Sequence, residues 1–466
     1  DRQHREGMPP NAEAVGSATA RAEDIFSTNK VFNSEKELTE DVVAIDGIVY
    51  SILGWDHPGG DQIKLFGGND VTVQYRMIHP FHVASLVDKM PKVGTLKNYR
   101  KDYQFETAFE KDLKAAVQKI VKPSERFATF GFKARCAYYC TQYAVLMSCY
   151  VYFGSSWALC TALGVAQAFI GLNVQHDANH GAVSQNPFWN DLLGFGADMI
   201  GGSKYLWLQQ HWTHHAFTND IERDPDAKST DPFFLFHNYP KDSVMRKTVH
   251  AFQHFWMLPI LSFYWFSSMV SPEILTATQS SVKENSGVNF ENSYLRAARP
   301  ITWGLRALYC CLSVFSPFFH HSWTTAMMHV WYMSVVESLA LAIPFAVSHN
   351  FEDSDRDPIA ESRISGKAVD WYKSQVETSS TYGGAWAGYL TGGLNFQIEH
   401  HCFPRMSSAW YPYIQPAVRE VCKKHGVRYA YYPSFFSNWS STVKYVQNAG
   451  SGAIAPETIT KPKKAY

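Results

Sequence analysis

Histidines in tight clusters are the residues of this sequence best suited to chemistry. They lie in the segments HDANH (176–180), HWTHH (211–215) and QIEHH (397–401), and one more stands in SHN (348–350). On a helix, residues four apart are separated by about 40° around the axis, so the imidazoles of each segment face one centre. The candidate ligands are His176, His180, His211, His214, His215, His349, His400 and His401.

Eight imidazoles exceed what one tetrahedral zinc ion needs, and they indicate two metal ions with open coordination positions. Imidazole suits iron, zinc and copper, so the spacing alone leaves the metal undecided. Gln397 stands where a third imidazole of the last segment is expected. The alternative is a set of ordinary core histidines, which three clusters flanking long apolar runs disfavour.

A second candidate site lies near the amino terminus. The segment GWDHPGG (54–60) predicts a tight turn, in which Pro58 restricts φ and two glycines permit positive φ, so that His57 stands at a loop edge. Downstream, His79 and His82 offer a second imidazole, and we favour His79 because it also precedes a proline. The segment resembles cytochrome b5, which implies a haem b with His57 and His79 as axial ligands. Such a haem has no open iron position and carries single electrons.

Two long uncharged runs predict membrane-spanning hairpins. No charged residue occurs from 136 to 175, and between 307 and 347 Glu337 alone interrupts the second run. Spans of about 20 residues are predicted near 136–153, 157–175, 305–319 and 326–347. Lysines and arginines flank both runs, which predicts that both hairpins enter and leave on the cytoplasmic side. The alternative, the core of a large soluble helical protein, is disfavoured by the length of the runs. Three further histidines at the far end of the second hairpin are interpreted as structural: His320, His321 and His329.

Composition excludes several classes of protein. The chain has 466 residues with 42 basic and 42 acidic side chains and no polybasic block, which argues against a nucleic-acid partner. A hydrophobic content of 46% argues against disorder over most of the chain. The eight cysteines never form CxxC, so neither a disulfide scaffold nor a zinc ribbon is expected. The first 24 residues lack an apolar stretch, so no cleaved signal peptide is predicted.

The predicted architecture is a small α+β haem domain followed by an all-α integral membrane domain with about four transmembrane helices and a cytosolic cap that carries the histidine segments. The expected order is a disordered amino terminus, a haem-binding domain, an amphipathic linker, the membrane metal domain and a carboxyl-terminal tail. The predicted boundaries are 1–24, 25–100, 101–132, 133–445 and 446–466.

The three histidine segments, with the fused haem-type segment ahead of them, resemble a membrane fatty-acid desaturase of the front-end type. HDANH, HWTHH and QIEHH match the family boxes HxxxH, HxxHH and QxxHH. The resemblance implies two iron ions held by the eight histidines. Gln397 is then a further catalytic candidate, as a ligand, a holder of water or a neighbour of the ligands. Asp177, Glu399 and Asn350 are expected to orient imidazoles or waters.

Desaturases of this kind use O2 to convert two neighbouring methylenes of an acyl chain into a cis double bond. The resemblance implies electrons from NADH through cytochrome b5 reductase and the fused haem, one at a time. Stretches such as TGGLNFQIEHHCFPRMSSAWYPYI are similar to algal and diatom Δ5 enzymes, which implies a C20 polyunsaturated substrate and arachidonic or eicosapentaenoic products. Whether the acyl group is carried by a lipid or by CoA stays open. An apolar tunnel is expected, with Trp207, Trp212 and Trp386 as candidates to line or cap it.

Other functions were weighed against this one. Within the same class, the alternatives are Δ6 or Δ4 acyl desaturation, Δ8 sphingoid desaturation, or a hydroxylase. Outside it, they are a membrane metal transporter or a haem electron carrier, although transporters place ionisable groups near the bilayer midplane and these boxes flank the runs. The terminal Lys463 and Lys464 resemble a retrieval signal of the endoplasmic reticulum, which is the predicted location.

Overall fold

The computed structural model describes residues 30–57, 59–79, 84–228, 234, 236, 248–270, 292–354 and 357–452. Within these, the chain forms two compact units: residues up to 75 together with 82–101, and residues 76–81 together with 102 onward. The predicted disordered amino terminus, His82 and the Lys463-Lys464 pair lie outside the described residues.

The first unit is built on a four-stranded sheet with the strand order β1-β4-β3-β2. β2 and β3 form a two-residue hairpin in which Asp46 and Gly47 have φ values of 50° and 78°, a geometry that the Asp-Gly pair favours. β4 also pairs with β1, in parallel. The strands are β1 (Lys30–Phe32), β2 (Val42–Ile45), β3 (Ile48–Ser51) and β4 (Lys92–Leu96).

Apolar side chains cover both faces of this sheet. Along β2, Val42 and Ala44 join one buried cluster, while Val43 and Ile45 join another, as alternation along a strand requires. Helical segments accompany the strands: three 3-10 segments, Glu35–Glu37, Asp61–Phe66 and Ala84–Lys89, and helix α1 (Thr72–Ile78). The prediction of a small domain of strands and short helices is confirmed.

The second unit is mostly helical. Its helices are α2 (Ala108–Gln118), α3 (Phe130–Phe153), α4 (Trp157–Asn179), α5 (Pro187–Gly194), α6 (Lys204–Ala216), α7 (Gln253–Leu261), α8 (Ser293–Tyr309), α9 (Trp323–His349), α10 (Ala360–Ser365), α11 (Trp371–Glu377), α12 (Ala385–Thr391), α13 (Gln397–Cys402), α14 (Tyr411–Lys424) and α15 (Phe435–Ser451). Two short parallel pairs join distant segments: β5 (Tyr103–Gln104) with β6 (Val369–Asp370), and β7 (Ser380–Tyr382) with β8 (Ala430–Tyr432).

Two of the described helices, α4 and α9, are long and apolar enough to cross a membrane, with mean hydropathies of 1.5 and 1.7. They pack closely, since a Cβ added at Gly164 would lie 2.8 Å from the carbonyl oxygen of Met333. The first predicted span corresponds to α3, which ends at Gly154 with a φ of 86° at the predicted turn. Neither α3 nor the third predicted span meets the length and hydropathy criterion, so four spans stay a prediction.

The third predicted span has a different extent in the structure. Its helix, α8, begins at Ser293 instead of near residue 305. A π-helical segment, Cys310–Phe315, and a 3-10 segment, Ser316–Phe319, continue directly from it. Hydropathy detects only the apolar part of this helix, because three arginines occur in the turns before it.

The predicted amphipathic linker contains α2, whose apolar residues Phe109, Leu113 and Val117 are buried. This helix packs beside α14, with the Phe109 and His425 rings 5.5 Å apart and Asp112 accepting from Lys424 at 2.7 Å. Protein therefore covers the apolar face of α2. The sequence pattern alone would also allow this face to lie on a membrane, because an apolar stripe does not specify what buries it.

Candidate metal centre

The eight predicted ligands come together from four helices. α4 supplies His176 in its last turn and His180 directly after it, and α6 supplies three more. α9 ends at His349, and α13 contributes His400 and His401. All eight are buried, the most exposed being His349 at 6%.

Their nitrogens form two groups. In the first, one ring nitrogen from each of four histidines lies within 4.8 Å of the others: His176, His180, His211 and His400. In the second, His214, His349 and His401 meet the same limit. His215 lies between the groups: its Nε2 is 3.0 Å from His211 Nε2, and its ring stacks on His401 at 4.1 Å. The prediction that the boxes converge on a metal site is therefore consistent with two buried histidine groups.

Local helix geometry turns the histidines of each segment toward the site. On α6, positions 211, 214 and 215 share one face, as the spacing predicted. The last turns of α4 contain a π-helical segment, Ile170–Gln175, immediately before His176. Such a segment rotates the residues that follow it relative to the rest of the helix, and π-bulges are frequent at functional sites.

The donor set fits metal ions. Both ring nitrogens of His176 and the Nε2 of His400 are buried without a hydrogen-bond partner, a costly state for polar atoms unless a ligand satisfies them. His180 Nε2 and His211 Nε2 approach within 3.0 Å, and His214 Nε2 and His349 Nε2 within 3.3 Å. Basic nitrogens converging in this way are suited to share a cation.

Electrostatics keep most of these imidazoles in the form that binds metal. Outside the two span-length helices, burial lowers the pKa of five imidazoles well below the usual value, and neighbouring imidazoles lower it further: His180, His211, His215, His400 and His401. These rings are therefore neutral at pH 7 and have a lone pair to donate. His214 differs, because burial lowers its pKa but Asp224 and Asp226 outweigh burial and raise the pKa to about 9.

Several ligands are held from behind through Nδ1. His214 Nδ1 lies 3.0 Å from both carboxylate oxygens of Asp224, and His401 Nδ1 lies 2.9 Å from Gln375 Oε1. His400 Nδ1 lies 3.0 Å from the Tyr411 hydroxyl, and His349 Nδ1 lies 3.1 Å from a backbone carbonyl. These contacts fix ring orientation and direct Nε2 into the site. Sequence reasoning missed Asp224, Gln375 and Tyr411. The only signal was the acidic segment NDIERDPD shortly after the second box.

The residues predicted to orient imidazoles or waters make the following hydrogen bonds to other partners, so that role stays a prediction. Asp177 accepts from Ser407 and Ser408, and Glu399 accepts from Thr381 at 3.0 Å and Tyr429 at 2.7 Å. Burial raises the pKa of Glu399 to about 7, although both hydrogen bonds act in the opposite direction. The Asn350 amide donates to the Ala346 carbonyl at the end of α9. Adjacent positions on a helix point to different sides, so their main hydrogen bonds are made elsewhere, although Asp177 Oδ1 still lies 3.8 Å from His176 Nδ1.

Gln397 lies beside the second group. Its amide nitrogen is 2.9 Å from His349 Nε2 and 3.1 Å from His401 Nε2, and its amide oxygen has no partner. The amide thus stands among the ligand atoms, at the point where the spacing predicted another imidazole.

Two of the three predicted tryptophans lie against the histidines. The Trp207 ring stacks on His211 at 4.2 Å, and Trp212 meets His180 edge to face at 4.7 Å. Trp386 is 83% exposed and covers none of the site. The structural interpretation of the far-end histidines agrees with their contacts: His329 Nδ1 lies 2.8 Å from Ser155 Oγ, and His320 Nε2 lies 2.9 Å from the Val151 carbonyl.

In the first unit, His57 stands partly buried in its turn. Its Nδ1 lies 3.3 Å from the Gly60 carbonyl oxygen and 3.1 Å from the Gly59 amide nitrogen, so this ring nitrogen is engaged within the turn. A Cβ at Gly59 would lie 2.8 Å from the His57 ring, and Gly60 has a φ of 82°, so both positions favour glycine. His79 follows α1 directly, in the segment 76–81 that clusters with the second unit. The haem assignment stays a prediction.

The contact behind His214 supports a specific test. Asp224→Asn is expected to weaken iron binding by about ten- to a hundredfold, because the carboxylate that orients the ring and raises its basicity is lost. Iron content is measured during titration with a chelator. Glu222→Gln, an exposed acid in the same loop, is the control. Equal iron loss from the two variants would contradict the role of Asp224.

Comparison with known proteins agrees with this site. The profile of the fatty acid desaturase family matches residues 155–433, which include all eight histidines. An acyl-lipid (7-3)-desaturase of Diacronema lutheri is 32% identical over 95% of this chain and 98% of its own length. Delta(5) fatty acid desaturase A of Dictyostelium discoideum is 26% identical over 90% of this chain and 92% of its own. An acyl-lipid (8-3)-desaturase of Mortierella alpina is 28% identical over 88% of this chain and 93% of its own.

The two buried histidine groups are consistent with the di-iron site of a desaturase. The chain belongs to the fatty acid desaturase family, and it is a desaturase enzyme that acts in lipid metabolism.

Proposed function

We propose that this protein is a front-end desaturase that uses O2 and two iron ions to introduce a cis double bond into a polyunsaturated acyl chain. The observation that carries the proposal is the pair of buried histidine groups, joined by His215, at the ends of the two span-length helices. Imidazoles in this number suit redox iron with open coordination positions.

The first iron would be held by His176, His180, His211 and His400, and the second by His214, His349 and His401, with His215 between them. When bound, the irons supply the redox chemistry by which O2 takes up four electrons and becomes two waters. Two of those electrons and two hydrogens come from neighbouring methylenes, and two electrons with two protons come from outside. We propose Gln397 as a further donor, or a holder of water, at the second group.

The protein residues around the ligands have two tasks. Asp224, Gln375 and Tyr411 hold the rings in place through Nδ1, so the site is formed before substrate arrives. Trp207 and Trp212 cover the rings and help to exclude water, which protects a strongly oxidising reaction from side products.

The external electrons are proposed to arrive singly from NADH through cytochrome b5 reductase and a haem b, with His57 and His79 as the predicted ligands. A donor fused to the enzyme acts at high effective concentration. We further propose four spans, with both hairpins opening to the cytosol, in the membrane of the endoplasmic reticulum.

The position of the new double bond has two candidates. Similarity to Δ5 enzymes supports Δ5 desaturation of C20 chains, and relatives with Δ5 and (8-3) names are 25–28% identical. Three relatives named acyl-lipid (7-3)-desaturase are 29–32% identical, which favours that activity as the second candidate.

Product analysis decides between these candidates. A yeast host that lacks polyunsaturated lipids is fed C20 and C22 polyunsaturated acids, and the double bonds of new products are located by mass spectrometry. We expect one new cis double bond at Δ5 of the C20 acids. A bond at another position would overturn the Δ5 prediction. A hydroxylated product, or no product from an iron-loaded and haem-loaded enzyme, would contradict desaturation itself.

A further inference from the structure

Two arginines beside the metal centre have no acidic partner among the described residues. Arg405 follows the third histidine box, and its buried Nε atom makes no hydrogen bond. Arg126 lies just before α3 and donates only to the Pro123 carbonyl, at 2.7 Å. Both side chains are partly buried, so each keeps a path to solvent or lipid. Partly buried cations without a counter-ion are uncommon, because burial of unpaired charge is costly.

The two arginines belong to adjoining segments. The Ser407 amide donates to the Arg126 carbonyl at 2.8 Å, and the Ala128 amide donates to the Ala182 carbonyl at 3.1 Å. The Arg405 guanidinium lies over Gly181, where an added Cβ would be 3.0 Å from its Nη2. Because Gly181 directly follows a metal ligand, His180, the cation stands close to the first histidine group.

The positive charges of the Arg126 and Arg405 guanidiniums repel each other. Burial, and then repulsion by Arg126, lower the pKa of Arg405 to about 10, and no carboxylate contributes. One carboxylate oxygen of Asp177 accepts hydrogen bonds from three donors, which belong to Ser407 and Ser408. Arg405 remains charged at pH 7, and no carboxylate among the described residues pairs with either guanidinium.

Exposed aromatic side chains lie near this pair in the sequence. Phe130 opens α3 and is 88% exposed, and Tyr413 is 65% exposed. The Trp410 indole donates to the Phe127 carbonyl beside Arg126. Exposed aromatic side chains next to arginines are typical of the interface where lipid phosphates lie.

We propose that Arg126 and Arg405 bind the phosphate of the acyl carrier and so hold the polar end of the substrate beside the metal centre. This inference rests on the proposed function, and it adds the chemical class of the carrier. In a front-end enzyme, only a few carbons separate the reacting bond from the carboxyl end, so the carrier must sit near the histidines. Guanidinium groups suit a phosphate because they offer paired donors in a plane. The phosphate can come from a glycerophospholipid or from CoA.

The test compares carriers with and without phosphate. The full-length enzyme, loaded with iron and haem, is assayed in non-ionic detergent micelles with one polyunsaturated acyl chain on phosphatidylcholine, on CoA and on a galactosyl diacylglycerol. Arg126→Gln and Arg405→Gln are each expected to raise KM about tenfold for a phosphate-bearing carrier and to leave kcat within about twofold, since a charge-assisted contact of this strength is lost. KM for the galactolipid is expected to stay unchanged. Arg405→Lys is expected to recover part of the loss.

Arg135→Gln is the matched control, because Arg135 is a partly buried arginine at the same end of α3. Its guanidinium lies over the Phe132 and Tyr389 rings, at 4.8 and 5.0 Å. The Arg135→Gln substitution is expected to change KM for all three carriers alike. If KM of the Arg126→Gln and Arg405→Gln variants rises with phosphatidylcholine alone, the carrier is a phospholipid. If it rises with the CoA ester alone, the carrier is CoA, and if it rises with both, the two arginines recognise the shared phosphate. Equal changes for phosphate-bearing and phosphate-free carriers, or no change, would overturn the proposal.

Binding separates this inference from the proposed function. Calorimetric titration with short-chain phosphatidylcholine, in parallel with a short-chain galactolipid, measures phosphate recognition without turnover. If the wild-type enzyme forms no product on any carrier, the proposed function fails, while weaker phosphatidylcholine binding by Arg405→Gln still supports the phosphate site. Unchanged iron content and haem absorbance in the variants exclude misfolding as the cause.

Discussion

Replacement of His180 or His214 by alanine is expected to remove iron and to lower desaturation by at least about a thousandfold. Each residue belongs to a different histidine group, and a bound metal contributes several kcal/mol to the stabilisation of a transition state. A single missing imidazole leaves the remaining ligands with an incomplete donor set. Iron per chain is measured on the purified protein, and product is measured in the fed host.

A histidine outside the two groups provides the control. His320 is exposed at the far end of the second hairpin, where it contacts the Val151 carbonyl. His320→Ala is expected to keep both irons and full activity. Two irons per chain in His180→Ala or His214→Ala would refute the ligand assignment, whatever the activity of those variants.

The second large effect is expected at the haem. His57→Ala should abolish haem absorbance and lower turnover by about a hundredfold or more, because the tethered donor is lost and reduction then depends on dilute external carriers. The histidine groups do not include His57, so iron content is expected to stay at the wild-type level. Absorbance spectra, iron analysis and NADH-driven turnover are measured on the same preparation.

Asp56→Asn is the matched control. Asp56 is an exposed acid next to His57, so this substitution changes the same turn and retains the imidazole. It is expected to keep both the haem and the turnover. Full activity of His57→Ala without added soluble cytochrome b5 would refute the fused electron donor. Restoration of its activity by added soluble cytochrome b5 would support the donor role and show that the metal centre is intact.

Much of the site was open to prediction because its signals are local. The spacing of the histidines within each box placed them on one face of a helix, as α6 shows for His211, His214 and His215. The break between the first two predicted spans, 136–153 and 157–175, coincides with the end of α3 and with Gly154. Helix bounds were less accurate, because α8 extends through charged residues that hydropathy excludes.

The roles of the polar neighbours could not be predicted from adjacency. Asp177 and Glu399 lie within boxes, yet they bind serine, threonine and tyrosine side chains elsewhere. The groups that orient the imidazoles come from distant segments, as Gln375 does for His401. A helix turns each successive residue by about 100°, so a neighbour in sequence usually faces another partner.

The amino-acid sequence by itself determined the chemistry: imidazoles at helical spacing beside apolar runs, in a number suited to two metal ions. The tertiary structure alone decided how those imidazoles divide into groups. His214 and His349 are 135 positions apart, and their Nε2 atoms lie 3.3 Å from each other because α6 and α9 end at the same place. The same packing brings Arg126 and Arg405 into adjoining segments. Periodicity is a property of one helix, whereas contacts between helices depend on packing that no local pattern encodes.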